Sequence, residues 1–223
     1  MLDIKGRGQA GPRLWLLVSS LALIAAVHAG LAILLTRTVT GRLLLREGET
    51  AQQFLNSVVK AEDSGGRLFD TPAPSTALQS FSRHVENLPG VVRANIYSLD
   101  GFIRFSTEKS LIGLQFRDNT ELTEAAQGKL ISKLDEVSDG DKPEHLAMNR
   151  FTGDELVEAY IPVSDASAKI VAVVEFYREP QMVQQTVADI RRMIWAAAGL
   201  SGLILFAALG LAVTIGTRRM KGS

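Results

Sequence analysis

Two long uncharged runs dominate the pattern of hydrophobic and polar positions. Residues 14–35 carry no formal charge, and neither do residues 194–217. As helices rising about 1.5 Å per residue they would span roughly 33–36 Å, about the thickness of a bilayer core. Arg13 and Arg37 close the first run, and Arg191, Arg192, Arg218 and Arg219 close the second. Trp15 and Trp195, the only tryptophans, each sit near the start of a run, where an indole favours the headgroup zone. The expected layout is a tail at 1–13, a span at 14–36, an outer segment at 37–190, a second span at 191–217 and a tail at 218–223. The first run is longer than a typical signal-peptide core, and apolar residues follow the loosely cleavable Val27-His28-Ala29, so an uncleaved anchor is expected.

Between the runs the periodicity changes twice. Leu43, Leu44, Phe54, Leu55, Val58 and Val59 recur at helical spacing through 41–63, until Ser64-Gly65-Gly66 breaks the pattern. A second helix is predicted over 75–88, capped by Ser75 and stopped by Pro89-Gly90. Residues 91–99 and 102–107 then alternate like strands around Asp100-Gly101, the pair favoured in a two-residue type I′ hairpin turn. A short helix is expected at 121–127, a third strand at 129–137 and a polar loop at 138–153. Two further strands, 155–163 and 170–178, precede a helix that Pro180 opens. Val171, Val173, Val174 and Phe176 make the last strand nearly all apolar, as a strand buried on both faces should be. The order predicts an α+β fold: one antiparallel sheet of about five strands with helices on one side.

Charge refines the layout. Lys+Arg and Asp+Glu are both 24, but the two tails are basic, leaving a middle of net −5. A mildly acidic middle argues against nucleic acid as a partner, since phosphates need a basic stripe. The short basic tails favour a cytoplasmic location for both ends, with the middle outside. There is no cysteine, which removes disulfides, thiolate chemistry and Cys-based metal sites.

Small residues recur at helical spacing in both runs, at Ala22, Ala26 and Gly30 and at Ala198, Gly202 and Gly210. They suit close helix packing, or reflect only how common Ala and Gly are in such helices. His28, deep in the first run, is expected to be a helix-contact residue. No P-loop, G-x-S-x-G, H-E-x-x-H or Cys nucleophile is present, so no enzyme and no cofactor is expected. His84 and His145 read as surface histidines. Asp139-Gly140-Asp141 with Glu144 and His145 lacks a full calcium-loop pattern and reads as solvated loop, so no metal is expected.

The stretch IYSLDGFIRFSTEKSLIGLQFRDNTELTEAAQG resembles the core of extracytoplasmic PAS-like (PDC/Cache-type) sensor domains. VEAYIPVSDASAKIVAVVEFYREP is similar to their closing hairpin, and LLREGETAQQFLNSVV to the entry helix of bacterial membrane-bound sensor histidine kinases. The resemblance covers about 43–181. It implies a PAS-like five-stranded sheet with a long N-terminal helix, and a multi-pass protein of the bacterial inner membrane with a periplasmic sensor domain. It also implies a homodimer working in two-component-type signalling. Only six residues follow Thr217, so the expectation is that the chain either stops before its output or acts with a separately encoded kinase, as a sensor or as a non-sensing scaffold.

Sensors of this kind bind small polar ligands on the sheet face away from the long helix. Strand alternation separates Arg93, Asn95 and Tyr97 from Val92, Ala94 and Ile96. It groups Phe102, Arg104 and Ser106, and likewise Leu156, Glu158 and Tyr160. The candidate ligand-lining residues are Arg93, Tyr97, Arg104, Ser106, Arg117, Lys133 and Tyr160. An Arg suits a carboxylate through paired hydrogen bonds, so an organic anion is an expected ligand.

Overall fold

The computed structural model describes residues 12–62, 68–69, 75–136, 155–179 and 181–221. The predicted loop at 138–153, with its acidic cluster and His145, and Pro180 lie outside them. The chain divides into two compact units, one of residues 1–39 with 185–223 and one of residues 40–184.

The first unit consists of the outer parts of two long helices. α1 runs Pro12–Glu62 and α4 runs Gln181–Lys221, each unbroken. Both are long and apolar enough to cross a membrane. Their large side chains point away from protein: Leu23 is 66% exposed and Leu203 68%. An apolar surface of this extent suits lipid rather than water. The two helices touch where the small-residue pattern suggested. A methyl group added at Gly202 would lie 3.7 Å from Ile24 Cγ2 and 3.8 Å from the His28 ring. His28 Nδ1 donates to the Ile24 carbonyl at 2.8 Å, which turns the ring along its own helix. Gly30 and Gly210 have no neighbour within 4 Å, so of these three glycines only Gly202 packs closely on the facing helix.

In the second unit α2 (Thr76–Glu86) follows α1. Ser75 caps it as expected, its hydroxyl accepting from Leu78 N at 3.0 Å. Then come β1 (Val91–Tyr97), β2 (Ile103–Ser106), a single 3₁₀ turn at Lys109–Leu111 and α3 (Thr120–Ala126). β3 (Ile131–Glu136), β4 (Glu155–Ser164) and β5 (Ile170–Arg178) complete the sheet. All pairs are antiparallel, in the order β2-β1-β5-β4-β3. The apolar β5 is central, as its composition predicted.

One sheet face is a hydrocarbon core. Ala94, Ile96, Ala159, Ile161, Val163, Ala172, Val174 and Phe176 pack against Leu55, Val58 and Val59 of α1 and Leu78, Phe81 and Val85 of α2. Polar contacts fix α1 in register on this face. Gln52 donates to the Pro162 carbonyl at 2.8 Å, Asn56 accepts from Ser164 N at 2.9 Å, and Glu47 pairs with Arg178.

Two expectations are corrected. Helices do not lie on one side only: Leu122 and Ala125 of α3 pack with Ile103, Val173, Tyr97 and Tyr160 over the opposite face. Left uncovered, the alternate face of β1 and β4 would present too much aromatic surface to water, and α3 buries it. The hairpin turn also differs. Only Gly101 has positive φ (+84°), and Asp100 does not. Gly101 N donates to Ser98 O and Ser98 N to Phe102 O, both at 2.9 Å, which makes a longer loop closed by a glycine bulge. The Phe116 amide donates to the Gly101 carbonyl at 3.0 Å, so the turn is clamped from the α3 side.

A Cβ at Gly101 would lie 2.7 Å from the Phe116 carbonyl oxygen, on a backbone L-residues disfavour. Gly101→Ala is expected to cost at least ~1–2 kcal/mol from the left-handed conformation alone. A lowered melting temperature of the full chain in detergent checks it; an unchanged value would mean the turn is misplaced.

Candidate functional site

The face opposite the hydrocarbon core is where the sequence's polar alternation leads. Register puts Glu158 opposite Tyr177 and Tyr160 opposite Glu175 across β4 and β5. Arg93 opposes Tyr177 and Asn95 opposes Glu175 across β1 and β5, while Lys133 opposes Glu158 across β3 and β4. Acids and tyrosines therefore alternate like a checkerboard. Glu158 and Glu175 are both 0% exposed. All three tyrosines of the chain meet here, each fully buried.

A continuous chain of hydrogen bonds crosses the sheet. At one end Glu108 N donates to Ser106 Oγ at 3.0 Å, and Ser106 Oγ donates to Asn95 Oδ1 at 2.6 Å. Asn95 Nδ2 and the Tyr97 hydroxyl donate to Glu175 Oε2 at 2.6 and 2.7 Å. The Tyr177 hydroxyl lies 2.8 Å from Glu175 Oε1 and 2.8 Å from Glu158 Oε1. Tyr160 donates to Glu158 Oε1 at 3.2 Å and accepts from Asn119 Nδ2 at 2.8 Å. Asn119 is the N-cap of α3, its Oδ1 accepting from Leu122 N at 2.8 Å. The buried network thus holds the helix that covers it.

Lys133 ties the other side of α3 down. Its ammonium lies 2.6 Å from Glu121, 3.3 Å from Glu158 Oε2 and 3.4 Å from Asp135. Partial burial works against its charge, but the hydrogen bond from Glu121 and the fields of Glu158, Asp135 and Glu121 outweigh this and hold it above the usual lysine range. The ammonium therefore stays charged, and its contribution stays present, through neutral pH. Burial first, and the field of Glu175 next, push the Tyr160 and Tyr177 hydroxyls far above the ordinary tyrosine range. Both remain protonated donors at any working pH. The Arg93 guanidinium, 3% exposed, lies 5.8 Å from the Tyr177 ring centre.

Of the seven candidate residues, Arg93, Tyr97, Ser106, Lys133 and Tyr160 come together on this face. Arg104 does not. The β1–β2 register slips so that Ile96 faces Phe105 and Tyr97 faces Ile103, leaving Arg104 as the extra residue of a bulge. It stacks instead 5.7 Å from the Phe102 ring. Arg117 is exposed and lines a separate open cleft of about 530 Å³ with Phe102, Gln115, Phe116, Leu122 and Thr123. Leu122 joins the two places, since it also packs beside Tyr97 and Tyr160. Sequence reasoning missed Glu175 and Tyr177, which lie on the strand that reads as all apolar. It placed Glu158 on the right face without singling it out. Among the described residues, no group of three His, Cys, Asp or Glu side chains could hold a metal ion.

No protein-family model matches the chain, and no curated protein does. Three solved structures align with parts of the chain. The E. coli DcuS sensor domain aligns at 14% identity and TM-score 0.32, covering 74% of this chain and 98% of that one. An extracellular ligand binding receptor from Desulfohalobium retbaense aligns at 15% identity and TM-score 0.34, covering 63% of this chain and 25% of the receptor. A domain of a sensory box/GGDEF family protein from Vibrio parahaemolyticus aligns at 10% identity and TM-score 0.38, covering 75% and 64%.

Removing the bridging hydroxyl in Tyr177→Phe should leave two buried carboxyl oxygens without their shared partner. The expected loss is about 1–3 kcal/mol of folding stability, the usual cost of an unsatisfied buried polar group. Chemical denaturation of the full chain measures it; a change below ~0.5 kcal/mol would show the bridge to be unimportant.

Proposed function

We propose that the chain is a membrane-bound sensor whose outer domain binds a small molecule at the polar sheet face and passes its state across the bilayer through α1 and α4. The buried network carries this reading. Two carboxyls and three tyrosines are held where aliphatic residues would pack at less cost. The opposite face already supplies a complete hydrocarbon core, so stability does not require them. A costly buried polar cluster beside a cleft is a candidate binding site.

The route outward also has a physical basis. α1 is one helix from its apolar run to Glu62, and Gln52, Asn56 and Glu47 attach it to β4 and β5, the strands that carry Glu158 and Glu175. A shift in those strands reaches α1 through these contacts. A ligand can drive such a shift only by its preference for one of two states. The open cleft, with Arg117 and Gln115 beside Phe102 and Phe116, offers an entry toward Leu122 and the network below. An organic anion suits Arg117 but would meet Glu158 and Glu175 further in. The ligand class therefore depends on how deep the molecule sits.

Thermal-shift screening of the full chain with organic anions, amines and neutral polar metabolites tests the binding. A true ligand at about 100-fold over its Kd should raise the melting temperature by ~5–10 °C. Arg117→Ala should reduce that shift. No stabilising molecule across the panel would sink the reading.

The outer location has its own test, helped by the absence of cysteine. In intact cells a membrane-impermeant maleimide should label Lys109→Cys at once and Ser223→Cys only after permeabilisation. The reverse pattern would invert the topology.

A further inference from the structure

One atom in the network has more hydrogen bonds than it has protons to make them. The Tyr177 hydroxyl oxygen stands 2.8 Å from Glu158 Oε1 and 2.8 Å from Glu175 Oε1. Each such contact between two oxygens needs one hydrogen between them. A phenol supplies one and carboxylates supply none. If both acids were ionised, one of the two contacts would set lone pair against lone pair, fully buried, between a hydroxyl and a charge. That arrangement costs free energy where all three groups are fully buried.

We propose that the Glu158–Tyr177–Glu175 chain is a proton-binding site, and that the outer domain responds to extracytoplasmic pH. One extra proton completes the chain: a carboxyl hydroxyl donates to the Tyr177 oxygen, and Tyr177 donates to the other carboxylate. The proton belongs to the three groups together, as in any strongly coupled pair of acids. Among the described residues, charged and titratable groups of four elements face the chain. Arg93 and Tyr97 come from β1, Glu121 from α3, Lys133 and Asp135 from β3, and Tyr160 from β4. Lys133 and Arg93 favour the ionised form, whereas burial, Glu121 and Asp135 oppose it.

Loss of the proton has a defined consequence. It leaves the β4–β5 contact one hydrogen short, and it changes what Glu158 can accept from Tyr160. Tyr160 is the partner of Asn119, the cap of α3. Deprotonation therefore loosens the strands to which α1 is attached and alters the hydrogen bonding of the helix that covers the face. This proton site deepens the sensory reading of the same face and depends on it only for the output.

The sign of the pH effect follows from the proton count. The folded chain holds a proton that an unfolded glutamate, with a pKa of about 4.3, has already lost. Stability is then full at low pH and falls as pH rises, until the folded network gives up its proton too. For one proton the melting temperature should drop by ~3–5 °C per pH unit across that window. Glu175→Gln and Glu158→Gln each place an amide donor in the chain, with no proton to lose, and should flatten this slope.

Infrared difference spectroscopy of the full chain in nanodiscs, titrated over roughly pH 5 to 8, is the direct test. The wild type should show the carbonyl band of a protonated carboxylic acid that disappears as pH rises. Either Gln variant should lack the band, and Glu121→Gln should keep it. A wild type without the band throughout, or a band surviving in both Gln variants, overturns the proposal. The readout needs no small molecule: a band without any ligand-induced thermal shift keeps the proton site and loses the small-molecule reading, and the converse result does the opposite.

Discussion

Two carboxyls share one tyrosine hydroxyl in the middle of a sheet, and most of the design of the unit formed by residues 40–184 answers to that contact. Neither acid can be buried unless donors reach it. Asn95, Tyr97 and Tyr160 supply those donors, and Lys133 supplies the opposite charge. The antiparallel register decides which of them can reach, because it sets Glu158 against Tyr177 and Glu175 against Tyr160. A one-residue slip of β4 or of β5 would turn that strand's acid into the hydrocarbon core. The network is therefore also a strong constraint on register, and the same requirement explains why α3 must close this face.

The two faces of the sheet divide the work. One side is aliphatic and aromatic, clamped to α1 and α2. The other is polar and is roofed by a helix of only seven residues. A short helix held by one cap residue, one lysine and the packing of Leu122 and Ala125 is easier to displace than a long helix packed on a core. Changes on the polar side can thus move the roof and strain β4 and β5 while the core keeps the domain intact. The contacts of Glu47, Gln52 and Asn56 place α1 at the end of that path.

Much of this was legible in the residue pattern. The helical and strand periods located nearly every described element, and the apolar content of β5 predicted its central place. Alternation separated Arg93, Asn95 and Tyr97 from their apolar neighbours, and it grouped Glu158 with Tyr160. The rest needed information that a one-dimensional pattern lacks. Glu175 and Tyr177 are hidden in a run dominated by valine and phenylalanine, and only the pairing with β4 shows that they share a face with Glu158. Strict alternation puts Arg104 on the face of Ser106, since it has no way to foresee a bulge. Asp100-Gly101 predicts a two-residue turn, whereas the clamp from Phe116 favours a longer loop in which glycine alone takes positive φ. Arg117 has the right chemistry, but it lines the neighbouring cleft.

The central claim is that the state of the buried acids reaches α1. Hydrogen exchange of the full chain in nanodiscs, comparing wild type with Glu175→Gln at neutral pH, addresses it most directly. The account predicts altered protection in β4 and β5, in α3, and in the α1 amides from Glu47 to Val59. A change confined to the strands, with α3 and α1 exchanging as in the wild type, would contradict it.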